Sequence, residues 1–359
     1  MAMLTKAQQV EEYIRNGIVE GRWSVGERLP GEESMLSELR VSRSTFREAL
    51  TSLSSDGIIV RKHGSGTYIT STPRVGTVTV LVQADALSLP MSHFPHAVIE
   101  SARECMQVSG YRPVLEVAYG DATEELAASI RLSDKPILKE TVGVLSYMSL
   151  GPLESWLEDS GIPSVAIEGM VATSKNVALL DSYGAMRMAA DLLRSHGYGD
   201  FALMYFDYGG SSKQKLVEDI HITEICRMQK SLVEFDESRL ISVPWSPNME
   251  ATYTIFKDWW ARPNRPSSIL FSDDSLFDVA SRAILELGIK VPEELAIVTH
   301  ANIGRQFHFP VQVTSVGYDP AETARIAWEI LHRRINGTSA NGNISMVPAH
   351  VQKGESLHR

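Results

Sequence analysis

Beyond residue 76 the sequence alternates short apolar segments with amphipathic segments, and this alternation constrains the fold more than any other feature. "TVTVLVQA" and "TVGVLSY" are apolar runs of strand length, whereas "YGAMRMAADLLRSHG" repeats its apolar residues at helical spacing. Strands that alternate with helices are typical of parallel sheets joined by crossover helices. We therefore expect residues 77–359 to form an α/β domain of two consecutive lobes with parallel sheets.

The first 70 residues have a different pattern, which predicts three helices followed by a hairpin. Apolar residues recur at helical spacing from Val10 to Ile18, and a short helix is predicted over residues 32–39. Ser42 can cap a third helix, and "DGIIVRKHGSGTYIT" predicts two short strands around a basic tip. With a polar linker at 71–76, the predicted domains are 1–70 and 77–359.

The distribution of charge matters more than its total. The chain has a formal net charge of -10, yet residues 1–70 hold nine Lys and Arg against nine Asp and Glu. Residues 40–62 hold five basic and two acidic side chains, among them Arg43 and Arg47 one helical turn apart. A local excess of positive charge is what phosphate binding requires, so the overall acidity does not exclude a nucleic-acid partner.

Composition and motifs weigh against several classes of protein. No apolar run has the length of a membrane span and the N-terminus does not resemble a signal peptide, so we expect a cytoplasmic chain. The cysteines Cys105 and Cys226 predict neither a disulfide framework nor a metal site. No nucleophile-elbow, zinc-protease or Walker A motif occurs, and "GGSSKQK" lacks the phosphate-loop spacing. We expect no enzymatic activity, cofactor or metal, although an enzyme using Asp273 and Asp274 and a transport-linked solute-binding protein are alternatives.

The third predicted helix has the features of a DNA-recognition helix. On a helical wheel, Arg43, Ser44, Arg47 and Thr51 share a flank that faces away from the apolar stripe. The N-terminal side chains of such a helix enter the major groove, where arginine can bind guanine through two hydrogen bonds. The alternative interpretation is that Arg43 and Arg47 are solvated surface charges with no role in DNA contact.

Residues 4–69 resemble the DNA-binding domain of the GntR family. The resemblance rests on "RLP", "VSRSTFREAL" and "DGII…GSGTYI", and it implies a winged helix-turn-helix. It also implies which residues contact the operator, namely Arg43, Ser44, Thr45 and Arg47 on the helix and His63 and Gly64 on the wing. Two positions depart from the family pattern, because Gly31 replaces a helix-capping serine and Glu33 replaces an arginine that typically meets DNA.

Residues 77–359 resemble the sensor domain of LacI/GalR regulators, which has a periplasmic-binding-protein-like fold. The segments "SGIPSVAIEG", "LLDSYGAMRMAADLLRSHGYGDFALM" and "SILFSDDSLFDVASRAILELGIKVPEELAIV" carry this resemblance. A GntR-type head on such a domain is similar to the arabinose-repressor hybrid type. The combination implies a homodimeric repressor that binds double-stranded operator DNA and leaves it when a small-molecule effector, a sugar or sugar derivative, is bound.

The effector is expected at the carboxyl ends of the parallel strands, in the crevice between the lobes. The candidate effector-binding residues are Asp274, Trp245, Glu168, Ser146, Tyr318, His300 and Lys213. Alternatives are a turn contact for Glu168, packing for Trp245 and helix capping for Asp273. Ala301 stands where the family has an acidic ligand group, and Lys213 or Lys215 is near the position of a missing family arginine. A non-sugar or anionic effector is therefore an alternative.

Overall fold

The fold of the 359-residue chain is given by a computed structural model. It describes residues 5–55, 57–62, 64–70, 76–83, 93–118, 141–147, 149–151, 153–169, 172–207, 237–244, 250–338 and 342–358. The chain divides into two compact units, one of residues 1–79, 103–114 and 136–142, and one of residues 80–102, 115–135 and 143–359. The predicted linker at 71–76 lies outside the described residues, and the domain boundaries stay a prediction.

The N-terminal segment forms three helices and a two-stranded antiparallel hairpin. These elements are α1 (Lys6–Val19), α2 (Glu32–Leu39), α3 (Arg43–Ser55), β1 (Ile59–Lys62) and β2 (Gly66–Ile69). Thr5 begins α1 with a capping box, in which its side chain accepts from the Gln8 amide and the Gln8 side chain accepts from the Thr5 amide. An isolated bridge between Arg28 and Tyr68 adds a third short segment beside the hairpin. The predicted winged helix-turn-helix is confirmed.

One apolar core holds this segment together. The apolar stripe of α3 packs against the inner faces of α1, α2 and both hairpin strands. The buried side chains of this core include Ile14, Ile18, Met35, Phe46, Leu50, Leu53 and Ile69. Because these side chains take up the inner face of α3, the opposite face, which carries Arg43 and Arg47, remains exposed to solvent. The hydrophobic pattern thus orients the arginine pair outward.

The rest of the described chain contains two six-stranded sheets. The first has the order β13-β7-β6-β5-β3-β4. Its strands are β3 (Thr77–Gln83), β4 (Arg112–Ala118), β5 (Thr141–Tyr147), β6 (Ser164–Gly169), β7 (Val177–Leu180) and β13 (Ile344–Val347). Strands β5, β6, β7 and β13 pair in parallel. Helices α4 (Phe94–Val108) and α5 (Leu153–Asp159) lie between strands of this sheet in the chain, and α9 (Pro320–Ile335) packs on β6 and β7.

The second sheet has the order β14-β12-β11-β10-β8-β9 and is parallel except for its edge strand β14. Its strands are β8 (Ala202–Asp207), β9 (Leu240–Pro244), β10 (Ser268–Phe271), β11 (Ala296–His300), β12 (Thr314–Gly317) and β14 (His350–Gln352). Helix α6 (Ser182–Ser195) packs on β11 and β12, whereas α7 (Glu250–Trp260) packs on β9 and α8 (Asp274–Glu286). The expected α/β class with parallel sheets is confirmed.

Within the described residues, the chain passes between the two sheets three times. The passages follow β7, β12 and β13, at residues 181, 318–319 and 348–349. They lie together, because the Asp181 amide donates to the Val347 carbonyl (3.2 Å) and the Tyr318 hydroxyl lies 3.5 Å from Ser182 Oγ. Asp181 and Asp319 cap α6 and α9, so the passages after β7 and β12 lead directly into a helix of the next sheet, whereas the passage after β13 leads into strand β14.

Candidate DNA-binding and effector sites

A hydroxyl network organises the start of the recognition helix α3. Ser42 Oγ accepts from the Thr45 amide at 3.2 Å and also lies 2.8 Å from both Ser44 Oγ and Thr45 Oγ1. Ser42 therefore caps the helix as predicted. The hydroxyls of Ser44 and Thr45 are held at the positive end of the helix dipole, where they and the backbone amides can donate to an anion such as a phosphate.

The arginine pair is exposed and faces two glutamates at the start of α2. Arg43 Nη2 lies 3.3 Å from Glu33 Oε1, and Arg47 Nε lies 3.4 Å from Glu32 Oε1. The Arg43 and Arg47 side chains are 63% and 59% exposed, so most of each guanidinium surface is available to a partner. Exposed ion pairs of this kind contribute about 0–1 kcal/mol to the stability of the fold. A polyanion such as DNA can therefore readily replace the glutamates as the partner of these arginines.

Helix α2 begins at Gly31 without a side-chain cap. The two acidic residues in its first turn, Glu32 and Glu33, lie at the positive end of the helix dipole and stabilise the helix there. The departure of Gly31 from the family pattern is thus offset locally. The same geometry places both carboxylates beside the arginines of α3.

The hairpin completes a basic surface next to α3. Gly64 has a φ of 72°, in the left-handed region that favours glycine, and the Lys62 ammonium lies 5.0 Å from the centre of the Tyr68 ring. A cleft of about 510 Å³ separates the hairpin from the helices, and the basic residues that line it are Arg28, Arg61 and Lys62. His63, predicted to contact DNA, lies outside the described residues.

In the second sheet, the carboxyl ends of adjacent strands bring several predicted effector residues together. Strands β10, β11 and β12 are parallel neighbours, so Asp274, His300 and Tyr318 follow them at one edge. Asp273 adopts the capping role that was its alternative reading, because its carboxylate accepts from the Ser275 amide at 2.9 Å. The next residue, Asp274, therefore begins α8 with a buried side chain.

Asp274 forms a buried ion pair. Its Oδ2 lies 3.2 Å from Arg305 Nε, and the other end of that guanidinium lies 3.5 Å from Asp278. Only 3% of the Asp274 side chain is exposed, and neither its Oδ2 nor Arg305 Nε has a hydrogen bond of good geometry. Burial, reinforced by the charge of Asp273 and opposed by that of Arg305, raises the pKa of Asp274 to about 7.

His300 and Tyr318 form an aromatic pair at the same end of the second sheet. Their ring centroids are 5.8 Å apart, and Phe94 contacts the same tyrosine at 6.2 Å. Burial lowers the pKa of His300, which favours the neutral imidazole, and the charge of Asp273 acts in the opposite direction. Burial likewise raises the pKa of Tyr318, so its hydroxyl remains protonated and can donate a hydrogen bond.

The two predicted effector residues of the first sheet, Glu168 and Ser146, are both buried. Glu168, at the end of β6, is 6% exposed and accepts from the amides and hydroxyls of Thr173 and Ser174. The structure thus gives Glu168 the turn contact that was its alternative reading, because these donors use both carboxylate oxygens. Ser146, in β5, is 3% exposed. Trp245, Lys213 and Lys215 lie outside the described residues.

The matches to family models correspond to these two parts of the chain. Residues 6–69 match the model of bacterial regulatory proteins of the gntR family, and residues 190–357 match that of a periplasmic-binding-protein-like domain. The chain thus joins an N-terminal part similar to gntR-family regulators to a part similar to periplasmic-binding-protein-like domains, and we call these parts the head and the body. The head comprises α1–α3 and the hairpin, and the body comprises the two six-stranded sheets with their helices.

Two curated relatives match nearly the whole chain, whereas others match only a short part of it. An arabinose metabolism transcriptional repressor of Geobacillus stearothermophilus is 23% identical over 356 residues, with 94% of this chain and 93% of the relative covered. Its counterpart in Halalkalibacterium halodurans is also 23% identical, with 96% and 94% covered. A histidine utilization repressor of Pseudomonas aeruginosa is 39% identical over 61 residues, which is 17% of this chain and 24% of that protein.

Solved structures of transcriptional regulators share the fold of the body. The transcriptional regulator CelR in complex with cellobiose aligns with a TM-score of 0.61 at 18% identity, covering 88% of this chain and 92% of that chain. A lac repressor dimer bound to operator and an anti-inducer aligns with a TM-score of 0.62 at 14% identity, covering 78% and 93%. At these identities the likeness concerns the fold.

The sequence interpretation missed the residues that surround Asp274. Arg305 lies in a loop after β11, about thirty residues beyond its ion-pair partner, and no periodicity marks it. Asn302, whose side-chain oxygen accepts from the Tyr318 amide at 2.9 Å, was also missed. Across the residues that the structure describes, no cluster of three His, Cys, Asp or Glu side chains could hold a metal ion, and no helix is long and apolar enough to cross a bilayer.

Proposed function

We propose that this GntR-type chain is a transcriptional repressor whose affinity for operator DNA is controlled by a small-molecule effector, a sugar or sugar derivative. The observation that carries the proposal is the joining, in one chain, of an exposed arginine pair on a recognition helix to a two-sheet body with three passages between its sheets. Full-length similarity to two arabinose metabolism repressors supports the same function. Such a regulator acts in the cytoplasm, where its DNA is.

In the proposed complex, α3 enters the major groove. Arg43 and Arg47 bind base edges, where arginine prefers the two acceptors of guanine. The helix start with Ser44 and Thr45 contacts phosphate, and Gly64 with His63 brings the wing to the backbone or minor groove. Two heads of a homodimer read two half-sites of a pseudo-palindromic operator, since the symmetry of the protein is matched by that of the DNA.

The proposed effector binds at the carboxyl edge of the second sheet. Asp274, Arg305 and His300 offer polar atoms there, and the Tyr318 ring supplies an apolar face. A neutral polyhydroxylated ligand suits this set, because hydroxyls can donate to Asp274 and accept from Arg305. Asp274 and Asp278 both face the single guanidinium of Arg305, so no excess positive charge is left there for an anion, which favours a neutral effector over an anionic one.

Effector control follows from the position of this edge beside the passages between the sheets. Tyr318 lies in the passage after β12. Its hydroxyl contacts Ser182, the first residue of α6, which follows the passage after β7. We propose that the effector favours one arrangement of the sheets, and that the dimer transmits this change to the spacing of its heads. The affinities for effector and operator are then linked, and each ligand changes the other's affinity by the same factor.

A thermal-shift screen of the full chain against sugars, sugar acids and sugar phosphates tests the effector proposal. Arabinose is the first probe because of the two full-length relatives. A ligand of the native state raises the melting temperature, by an amount that follows its concentration relative to Kd. We expect a neutral sugar to give such a shift and Asp274→Ala to lose it.

DNA binding by the same variants separates the two sites. Asp274→Ala should bind duplex DNA like the wild type, whereas Arg47→Ala should keep the effector shift and bind its selected operator more weakly by about 1–3 kcal/mol. Arg325→Ala removes an arginine of the body whose side chain is 52% exposed, close to the 59% of Arg47, and is the matched control. Unchanged operator affinity in Arg47→Ala would refute its proposed base contact, and a normal shift in Asp274→Ala would exclude the proposed effector site.

A further inference from the structure

Glu33 is an exposed acidic residue within the basic surface of the head. It lies in the first turn of α2, its side chain is 89% exposed, and its Oε1 accepts from Arg43 Nη2 at 3.3 Å. Nothing in the packing of the head requires this carboxylate, because Met35 supplies the buried contact of α2. A negative charge beside a proposed DNA contact lowers the attraction to phosphate, so its presence calls for a physical role.

We propose that Glu33 is a specificity-determining residue that directs Arg43 to a base edge and away from phosphate. This inference rests on the proposed function, since it assumes that α3 reads DNA. Glu33 acts through Arg43 and is therefore a positioning residue.

The geometry of the guanidinium supports this role. Arginine has five N–H donors in a planar fork, and the pair with Glu33 uses only Nη2, so other donors remain for a second partner. A base edge offers neutral acceptors, and Arg43 can bind it while it still faces Glu33. A phosphate at the same position carries a negative charge and is repelled by the carboxylate on the other side of the guanidinium.

The result is discrimination between two kinds of DNA. Binding to unrelated sequence depends almost entirely on phosphate contacts, whereas operator binding adds contacts to bases. A carboxylate that disfavours phosphate contact by Arg43 therefore weakens binding to unrelated DNA more than it weakens binding to the operator. Specificity obtained by disfavouring the wrong partner is a general device of selective interfaces.

The neighbouring ion pair, Arg47 with Glu32, is less suited to such a positioning role. Glu32 lines the cleft of the head together with Pro30 and Phe46, its side chain is 33% exposed, and its Oε1 is buried. Its replacement would disturb packing as well as charge. Glu33 can lose its charge without such a change, which makes Glu33→Gln the informative variant.

The experiment uses the full chain and two DNA duplexes, one of mixed sequence and one selected by the wild type from a random pool. Glu33→Gln should bind the mixed duplex about two- to fivefold more tightly, the range expected for loss of an exposed ion pair. Its salt dependence on that duplex should steepen by about 0.9 in the log–log slope, which corresponds to one added phosphate contact. Affinity for the selected duplex should change less than twofold, so the ratio of the two affinities falls.

Two controls isolate the role of Arg43. Glu20→Gln removes an equal charge from another exposed pair of the head, with Arg22 at 3.1 Å, and should leave the ratio of affinities at the wild-type value. In an Arg43→Ala background, Glu33→Gln should no longer tighten binding to the mixed duplex, because the coupling between the two residues is then absent.

Each contrary outcome has a distinct meaning. If Glu33→Gln tightens both duplexes equally, or leaves the mixed duplex unchanged, the proposed role of Glu33 is wrong while DNA binding stands. An effect that persists in the Arg43→Ala background also contradicts it, since Glu33 then does not act through Arg43. Failure of the wild type to bind either duplex would refute the proposed function itself.

Discussion

At the scale of single residues, the chain uses the same ion-pair chemistry in two environments with different consequences. Arg43 and Glu33 meet in solvent, where the pair is weak and can be replaced by DNA. Asp274 and Arg305 meet where the carboxylate is almost fully buried, and desolvation raises its pKa to about 7. The difference in burial therefore explains why the Glu33 contact can be replaced by DNA, whereas the Asp274 carboxyl titrates near neutrality.

The raised pKa of Asp274 predicts a pH-dependent stability. The folded chain keeps a proton on Asp274 up to about pH 7, whereas in the unfolded chain the pKa of this carboxyl returns to the ordinary aspartate value of 3.8. The folded state binds more protons in this window, so the free energy of unfolding falls as pH rises from about 4 to 7, by at most about 1.4 kcal/mol per pH unit from this group. Asp274→Asn should lack this component when unfolding by urea is measured across the range.

A surface aspartate provides the control for this measurement. Asp191 is paired with Arg194 and is 61% exposed, so Asp191→Asn should follow the pH profile of the wild type. Parallel profiles for the wild type and Asp274→Asn would contradict the raised pKa.

At the scale of elements, the end of β12, where one passage between the sheets begins, has no room for an extra side-chain atom. Strand β12 ends at Gly317, where a Cβ would collide with the carbonyl oxygen of Ala301 in the chain after β11. The Ala301 amide also donates to the Val316 carbonyl at 3.0 Å, which holds the two strand ends together. The close approach fixes how His300 and Tyr318 lie beside each other.

Gly317→Ala tests this tight approach. Overpacking of a rigid site costs about 1–3 kcal/mol, so the variant should unfold at lower urea concentration. It should also lose the response to effector, because the backbone must move to make room for the added methyl group, and this movement displaces Tyr318 relative to His300. Gly199→Ala is the matched control, since nothing lies within 4 Å of a Cβ at that position. Wild-type stability in Gly317→Ala would show that the backbone relaxes there without cost.

At the scale of the whole molecule, the proposed function requires two binding reactions in one chain to be coupled. The head offers exposed cations although the chain has a net charge of -10, and the body offers a polar edge next to three passages. The remaining acidic surface disfavours unspecific DNA contact outside the head. Coupling then depends on the dimer, which places two heads on one operator.

This coupling predicts reciprocal affinities. With a screened effector at saturation, the Kd for the selected duplex should rise by about 5- to 150-fold, the usual range of such coupling. The Kd for the effector should rise by the same factor when the duplex is saturating, as measured by calorimetry. Equal Kd values with and without effector would contradict effector control, and a stoichiometry of one chain per duplex would contradict the proposed homodimer.

The sequence by itself determined the elements and their classes. The helix stripes, the Ser42 cap and the strand–helix alternation act over a few residues, so the head and the parallel sheets could be predicted from local pattern. Short strands such as β7, β9 and β13 were not among the predicted elements, because four or five residues carry little periodic signal and the edge strand β13 exposes Ile344 and Met346.

Only the tertiary structure decided which residues meet. The pairing of Arg305 with Asp274, the turn contacts of Glu168 and the pairing of Glu33 with Arg43 join residues from different elements or from a turn of special shape. Asp273 and Asp274 are adjacent in sequence, yet one caps a helix and the other is buried, because α8 begins between them. Hydrophobic periodicity sets the orientation of a side chain relative to its own helix or strand, whereas its partners depend on how the chain packs.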